Sequence, residues 1–399
     1  MFVRVPSFAR WALVVAIGFA LSPASVLAQD AVKADASPAI AKEPTKDGEQ
    51  PVIQIAILLD TSSSMSGLIN QARSQLWKVV NEYALAKRDG KSPRVKVAVY
   101  EYGNSRLDRE GGFIRMVSKL TDDLDSVSEG LFKLTTSGGS EHCGQVIDRA
   151  VTDLDWTDDE AALKCIFIAG NERFTQGPVD YRKACQKAIE KGITVNTIHC
   201  GTHSVGVSGK WQEGALLADG SFVNINQNEQ VVDIPTPHDK ELVRLSGELN
   251  TTYIAWGSKK KREDSVARQS AQDANAAGSS IGSAASRANS KALAIYNNAS
   301  WDLVDACKQG KIKIEDLKKE ELPEELRKMS TEELKKFVAK NEEKRTSIQE
   351  KIKSLNKQRQ DFIAKERKKL AGGKKNTLDE AMIATVRSQA EKKKYVFEK

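Results

Sequence analysis

The sequence predicts an α/β fold, a doubly wound and mostly parallel sheet, followed by an all-α, partly coiled-coil C-terminal region. Three observations predict it. Apolar runs such as "VIQIAILLD" from Val52 alternate with amphipathic stretches as far as Gly257, the pattern of strands buried on both faces between crossover helices. The charge then changes sign: Asp30–Ser258 carries 25 basic and 32 acidic residues, Lys259–Lys399 34 basic and 22 acidic. From Leu334 a heptad repeat replaces both earlier patterns.

At the N-terminus, Arg4 and Arg10 precede the apolar stretch "WALVVAIGFAL" as a positive segment, and Pro23 with "SVLA" follows. Residues 1–28 therefore read as a signal peptide cleaved after Ala28. Pro23 cuts the apolar helix below the roughly 20 residues that span a bilayer. The expected location is outside the cytoplasm, periplasmic or secreted from a bacterial envelope. Residues 29–50 are rich in Ala, Lys, Asp and Pro and read as a disordered tether.

The predicted α/β domain covers 51–257. Its first strand is "VIQIAILLD". "LINQARSQLWKVVNEYALAKR" follows with apolar residues at helical spacing. "RVKVAVYEYG" and "GGFIRMVSKL", separated by a polar turn, predict an antiparallel pair. "DDLDSVSEGLFKL" and "CGQVIDRAVTDL" are helices around the loop "TTSGGS". Then come the strand "LKCIFIAGNE", the helix "VDYRKACQKAIEKG" and the strand "ITVNTIHCG". "WQEGALLADGSFVNIN" gives a short helix and a last strand, and "TPHDKELVRLSGELN" a closing helix. In such a sheet ligands bind beyond the carboxyl ends of the strands, where strand order reverses. Asp60, "GNE" and "HCGTH" all lie at such ends.

At the first of these ends stands "DTSSS". A carboxylate and two hydroxyls at alternate positions suit Mg²⁺, which takes six oxygens near 2.1 Å and keeps several waters. A serine-rich helix cap is the plainer alternative. D-x-S-x-S after a buried parallel strand, with this order of strands and helices, resembles the von Willebrand factor type A (VWA) domain and its metal-ion-dependent adhesion site, MIDAS. The resemblance covers about half the chain. It implies a Rossmann-like sheet with Mg²⁺ (or Mn²⁺ or Ca²⁺) on its top face, a protein as partner, and an acidic group of that partner completing the metal shell. Ser62 and Ser64 match the direct ligands and Asp60 the carboxylate.

Two other motifs depart from the family pattern. Where the family has G-G-T-x-x-G, with the threonine a ligand, this chain has "SGGSEHCGQVI". Counting back from Gly144 puts Glu141 at the threonine position, counting forward from the glycines gives Ser140, and Thr136 is a third candidate. The family aspartate after the fourth strand is replaced by Asn171, with Glu172 beside it. A hydroxyl exchanged for a carboxylate at Glu141, and a carboxylate for an amide at Asn171, would keep the charge and reverse its distribution. The expected metal residues are Asp60, Ser62, Ser64, Ser140, Glu141 and Asn171.

Catalysis is not expected. Cys143 and His142 are adjacent and so poorly placed as nucleophile and base. His199, Cys200 and His203 resemble a short transition-metal cluster but read better as a strand end. No phosphate loop, nucleotide fingerprint or pair of catalytic acids is visible. Export implies an oxidising compartment. Of the pairings open to Cys143, Cys165, Cys185 and Cys200, Cys143–Cys200 is preferred, with buried free thiols as the alternative.

Residues 258–300, "SAQDANAAGSSIGSAASRANS" among them, read as a flexible linker with some helical tendency, and 301–399 as a basic helical, coiled-coil arm. The seam runs through Leu334, Val338, Asn341, Arg345, Ile348, Ile352, Leu355, Arg359 and Phe362. The arm is expected to self-associate or to dock on an envelope component, with an anionic membrane surface as second reading. Nucleic acid is not expected, because Glu is interleaved with Lys at helical spacing and aromatic residues are few. The whole reads as an exported protein-binding or scaffold protein. The alternatives are a docking subunit of an envelope enzyme complex and a structural coiled coil whose metal site is degenerate.

Overall fold

A computed structural model describes residues 50–228, 233–369 and 377–397. The expected signal peptide and nearly all of the tether lie outside the described residues.

The first strand, β1 (Val52–Asp60), is buried along its whole length and leads through a 3-10 turn into α1 (Ser66–Ala84). A two-residue strand β2 (Ala86–Lys87) precedes β3 (Arg94–Tyr102), β4 (Ile114–Thr121) and α2 (Leu124–Lys133). Next come α3 (Cys143–Asp153), β5 (Leu163–Gly170), α4 (Tyr181–Glu190) and β6 (Thr194–Cys200). The α/β part ends with α5 (His203–Ser208), α6 (Trp211–Leu217), β7 (Phe222–Ile225) and α7 (Asp239–Asn250). The remainder is helical, α8 (Lys259–Ser279), α9 (Ile281–Ala292), α10 (Leu303–Lys308), α11 (Thr331–Lys369) and α12 (Leu378–Lys392), closed by the short strand β8 (Val396–Phe397).

The six-stranded sheet has the order β4-β3-β1-β5-β6-β7. All neighbours are parallel except β3 and β4, the antiparallel pair expected from the polar turn between them. Chain direction across the sheet reverses on either side of β1, so the carboxyl end of β1 is the switch point where α/β sheets bind ligands. Period-two alternation divides β1 between two cores. Ile53, Ile55, Ile57 and Leu59 face α1, α2 and α12, while Ala56 and Leu58 face α3 and α4.

The second half departs from the expected linker and free arm. Residues 258–300 form α8 and α9, and α9 packs against α1, α7 and α8. Their polar composition is misleading because the charges are paired inside. Arg287 is 1% exposed; its Nη1 donates to Asp125 Oδ1 at 2.7 Å and its Nε pairs with Asp273. Lys291, fully buried, donates to Ser246 Oγ at 2.9 Å and to Asp273 at 3.0 Å. The Arg287 guanidinium also lies 4.5 Å from the centre of the Trp77 ring.

The heptad has the right period and a different partner. All nine seam residues are buried or half-buried. The surface they cover belongs to the same chain: α11 crosses α7, α9 and α10, with Ile348 and Ile352 against Leu242, Leu245 and Leu249. The two arginines that spoil the seam are its polar register pins. Arg345 donates to Asp302 and Asp305, each at 2.6 Å, and Arg359 to Asp239 at 2.7 Å. A seam occupied this way leaves no room for a second copy of the helix.

Helix α12 returns to the α/β part. Leu378, Ala381, Met382, Val386 and Ala390 enter the core on the α1 face of the sheet. Gln389 exchanges hydrogen bonds with Asn196 on β6, β8 pairs with β2, and Tyr395 Oη donates to the carbonyl of Val52 at 3.1 Å. Among the described residues no helix is long and apolar enough to cross a membrane.

Candidate cation site

Four loops meet at the carboxyl end of β1. The turn after β1 is fixed by Thr61 N–H donating to Tyr102 O at 2.8 Å and by Ser137 N–H donating to Thr61 O at 3.0 Å. Asn104 Nδ2, on the loop after β3, donates to Thr135 O at 2.7 Å. These bonds bring the α2–α3 loop over the β1 turn. The turn after β5 joins from the other side.

Asp60 is fully buried at the centre. Its Oδ1 accepts the Ser62 N–H at 2.7 Å, while its Oδ2 has no hydrogen-bond partner. Burial pushes the carboxyl up to about 6, against the opposing pull of the Ser62 N–H. Ser62 Oγ and Ser64 Oγ lie 3.4 Å apart, and Asn171 Nδ2 donates to Ser64 Oγ at 3.2 Å. The Asn171 Oδ1 is buried and unpartnered.

The structure separates the alternatives on the α2–α3 loop. Ser140 is exposed, Thr136 is half-buried, and Glu141 is buried at 5% exposure. The Glu141 carboxyl is pushed up to about 7, first by burial, then by the charges of Asp60 and Glu172, with Ser62 opposing. Glu141 is thus the one of the three that shares the site with Asp60 and Ser62. Glu172, noted beside Asn171 but not among the expected metal residues, also bears on the site: its charge raises both Asp60 and Glu141. Gln176 ties the loops together, accepting the Glu141 N–H at 3.2 Å and donating to Glu172 at 3.4 Å.

Two glycines make room for this cluster. At Gly103, in the left-handed region at φ 78°, a Cβ would come within 2.8 Å of Glu141 Cγ and 3.0 Å of Asp60 Oδ1. At Gly170 it would come within 2.5 Å of Tyr102 Oη and 3.0 Å of Asp60 Oδ2. Tyr102, buried beneath, donates to Ala169 O at 3.0 Å. Neither Tyr102 nor the glycines carry a sequence signal beyond their places at strand ends.

The residues present fit a hard divalent cation. Two hydroxyls, an amide oxygen and two carboxylates form the donor set, and two buried oxygens, Asp60 Oδ2 and Asn171 Oδ1, lack a proton to accept. Among the described residues no group of three or more His, Cys, Asp and Glu is arranged to hold a metal, so the hydroxyls and amide are needed to complete any shell.

The cysteine and histidine candidates fall apart. Adjacent residues of β6 point to opposite faces: Cys200 lies in the core beside α1, whereas His199 faces Asn171 and Asn224. His203 stacks on Phe222. Cys143 Sγ contacts Tyr102 Oη, and burial raises the thiol well above its usual range, while His142 Nδ1 lies against Gln145. A thiol so placed is not a nucleophile. The preferred Cys143–Cys200 bridge is absent: all five cysteines are free, and Cys143, Cys165, Cys185 and Cys200 are buried. They serve as small apolar side chains in the two cores.

Residues 54–210 match the family model of the von Willebrand factor type A domain, and this stretch of the chain is a VWA domain. No curated protein matches the sequence. Among solved structures, the chain is similar to the conserved protein BatB from Bacteroides thetaiotaomicron, at 18% identity over 44% of this chain and 90% of that one, with a TM-score of 0.34. The VWA domain of SpRpn10 is 15% identical over 45% and 90%, TM-score 0.34. Proximal thread matrix protein 1 of the mussel byssus is 14% identical over 44% and 41%, TM-score 0.33, and has also been solved with zinc in its MIDAS motif. This chain spans less than half the length of the mussel protein.

Proposed function

We propose that this protein binds a protein partner through a divalent cation held at the carboxyl end of β1. The observation that carries the reading is the convergence of Asp60, Ser62, Ser64, Glu141 and Asn171 at the sheet's switch point, with two buried oxygens left unpartnered. Ser62, Ser64 and Asn171 would hold the ion, Mg²⁺ first and Mn²⁺ or Ca²⁺ as alternatives. Asp60 and Glu141 would supply the charge, and Ser140, exposed on the same loop, lies at the rim. A bound cation lowers the cost of ionising both carboxyls, which burial holds at about 6 and about 7. The partner's contribution is an acidic group at an open coordination position. With Glu141 already supplying charge, the ion is less electrophilic, and the partner's carboxylate is held more weakly than a three-hydroxyl site would hold it. The role is binding, not catalysis.

The helical half serves this site as scaffold. Its heptad seam and much of its buried charge are spent on the same chain. Export to the envelope belongs to the same proposal and rests on the Arg-flanked apolar segment before Ala28.

Calorimetric titration of the metal-stripped full chain with Mg²⁺, Mn²⁺ and Ca²⁺, beside Asp60→Ala, tests the reading. Binding that Asp60→Ala abolishes supports it. No heat with any ion refutes it.

A further inference from the structure

The turn after β5 carries Asn171 and Glu172, and both of its carbonyls receive a ring N–H from buried aromatic side chains. Trp211 Nε1 donates to Glu172 O at 2.7 Å. His199 Nε2 lies 3.3 Å from Asn171 O. The other ring nitrogen of His199, Nδ1, lies 3.0 Å from Asn224 Nδ2, an amide nitrogen that can only donate. Nδ1 is therefore the acceptor, the proton sits on Nε2, and Nε2 donates to the Asn171 carbonyl.

The two rings are 1% exposed and 5.7 Å apart. Trp211 packs edge-on against Phe174 of the same turn at 4.9 Å, and Phe174 N–H donates to Gly209 O at 2.8 Å. The His199 ring is boxed in by backbone: a Cβ at Gly206 would come within 3.0 Å of its Cγ and Nδ1. Each ring is spent on holding the backbone that aims Asn171 at Ser64.

We propose that His199 and Trp211 are positioning residues, which clamp the Asn171–Glu172 turn and thereby set the size of cation the site accepts. The proposal rests on the cation reading above. Mg²⁺ demands near-ideal octahedral geometry, whereas Ca²⁺ tolerates longer and more irregular shells. A clamped turn serves the smaller ion, and a loosened turn loses Mg²⁺ before Ca²⁺. Hydrogen bonds that orient ligands are worth ~10–100-fold in affinity.

The test uses the full chain. Trp211→Phe removes the indole N–H and keeps a ring, His199→Leu removes the donor, and His199→Gln restores an amide donor and acceptor. Mg²⁺ and Ca²⁺ affinities are measured by calorimetry. Hydrogen exchange of the 170–176 backbone is measured without metal. Expected for Trp211→Phe and His199→Leu is a loss of ~10-fold or more for Mg²⁺, with Ca²⁺ affected several-fold less. Exchange in 170–176 should quicken, and His199→Gln should recover part of both. Equal losses for the two ions, or unchanged exchange, would overturn the clamp. If the unsubstituted protein binds neither ion, the cation reading fails by itself. Exchange then decides the clamp: quickened, it stands as a device for holding the turn; unchanged, it falls.

Discussion

Replacing Asp60 with Asn isolates the electrostatics of the site, because the side chain keeps its shape and its Oδ1 can still accept the Ser62 N–H. In the folded protein burial raises the Asp60 carboxyl from 3.8 to about 6. That difference corresponds to about 3 kcal/mol, at about 1.4 kcal/mol per tenfold. An acid whose pKa is raised by folding holds its proton more tightly in the folded state. Without metal, its ionisation therefore removes stability as pH rises from the unfolded value near 4 through the folded value near 6. Asp60→Asn does not ionise. Its metal-free form should match the parent near pH 4 and exceed it by as much as about 3 kcal/mol at pH 7.5. Mg²⁺ should reverse the order. A ligand at 1,000 times its Kd adds about 4.1 kcal/mol to the protein that binds it and nothing to one that does not. The assay is urea unfolding of the full chain, followed by tryptophan fluorescence, at both pH values with chelator and with saturating Mg²⁺. A metal-free Asp60→Asn less stable than the parent at pH 7.5, or equal Mg²⁺ stabilisation of both proteins, would refute the argument.

Four further outcomes are expected. Cation affinity should weaken as pH falls through 7 and then 6, because protons compete at Glu141 and Asp60; a pH-independent affinity by calorimetry would count against both carboxylates. Arg345→Met should cost about 3–5 kcal/mol in urea unfolding, because Asp302 and Asp305 are left without their buried cation. Val386→Ala, which opens a hole under α12, should cost about 2 kcal/mol; a loss below a few tenths would show that α12 does not pack on the sheet. Light scattering of the full chain should give the mass of one chain, since the heptad seam is covered from within; a stable dimer through α11 would contradict that packing.

The fold of the first half was legible because its signals are local and physically forced. Strands buried on both faces must be continuously apolar, and "VIQIAILLD" and "LKCIFIAG" are. That Asp60, Ser62 and Ser64 stand together at the end of β1 was legible because D-x-S-x-S follows the buried strand directly. Choosing Glu141 over Ser140 needed coordinates: the two differ by one position in a loop, and no periodicity reports which side chain turns inward. The Cys143–Cys200 expectation used strand ends alone, without the face on which each thiol lies. In the second half, charge was read as solvent exposure. Arg287, Lys291, Arg345 and Arg359 look like surface residues until their carboxylate partners, Asp125, Asp273, Asp302 and Asp239, are brought in from distant segments. The heptad showed its period but not its occupant, since a stripe of Leu, Val and Ile has no marker for self or other.

The return of α12 and β8 bears on what counts as a unit of this protein. The matched VWA segment stops at residue 210, but the hydrogen bond from Tyr395 to Val52 joins positions 343 residues apart. Contacts of such separation close late and slowly in folding. The α/β core has its full wall only when the last helix has been synthesised and has come back to cover α1. A ribosome, a protease or a cloning boundary that stops short of residue 378 leaves an apolar face of the sheet open to water. This VWA domain is therefore not a cassette that can be lifted from its chain, and a gene fusion designed to borrow it must carry the chain through to β8.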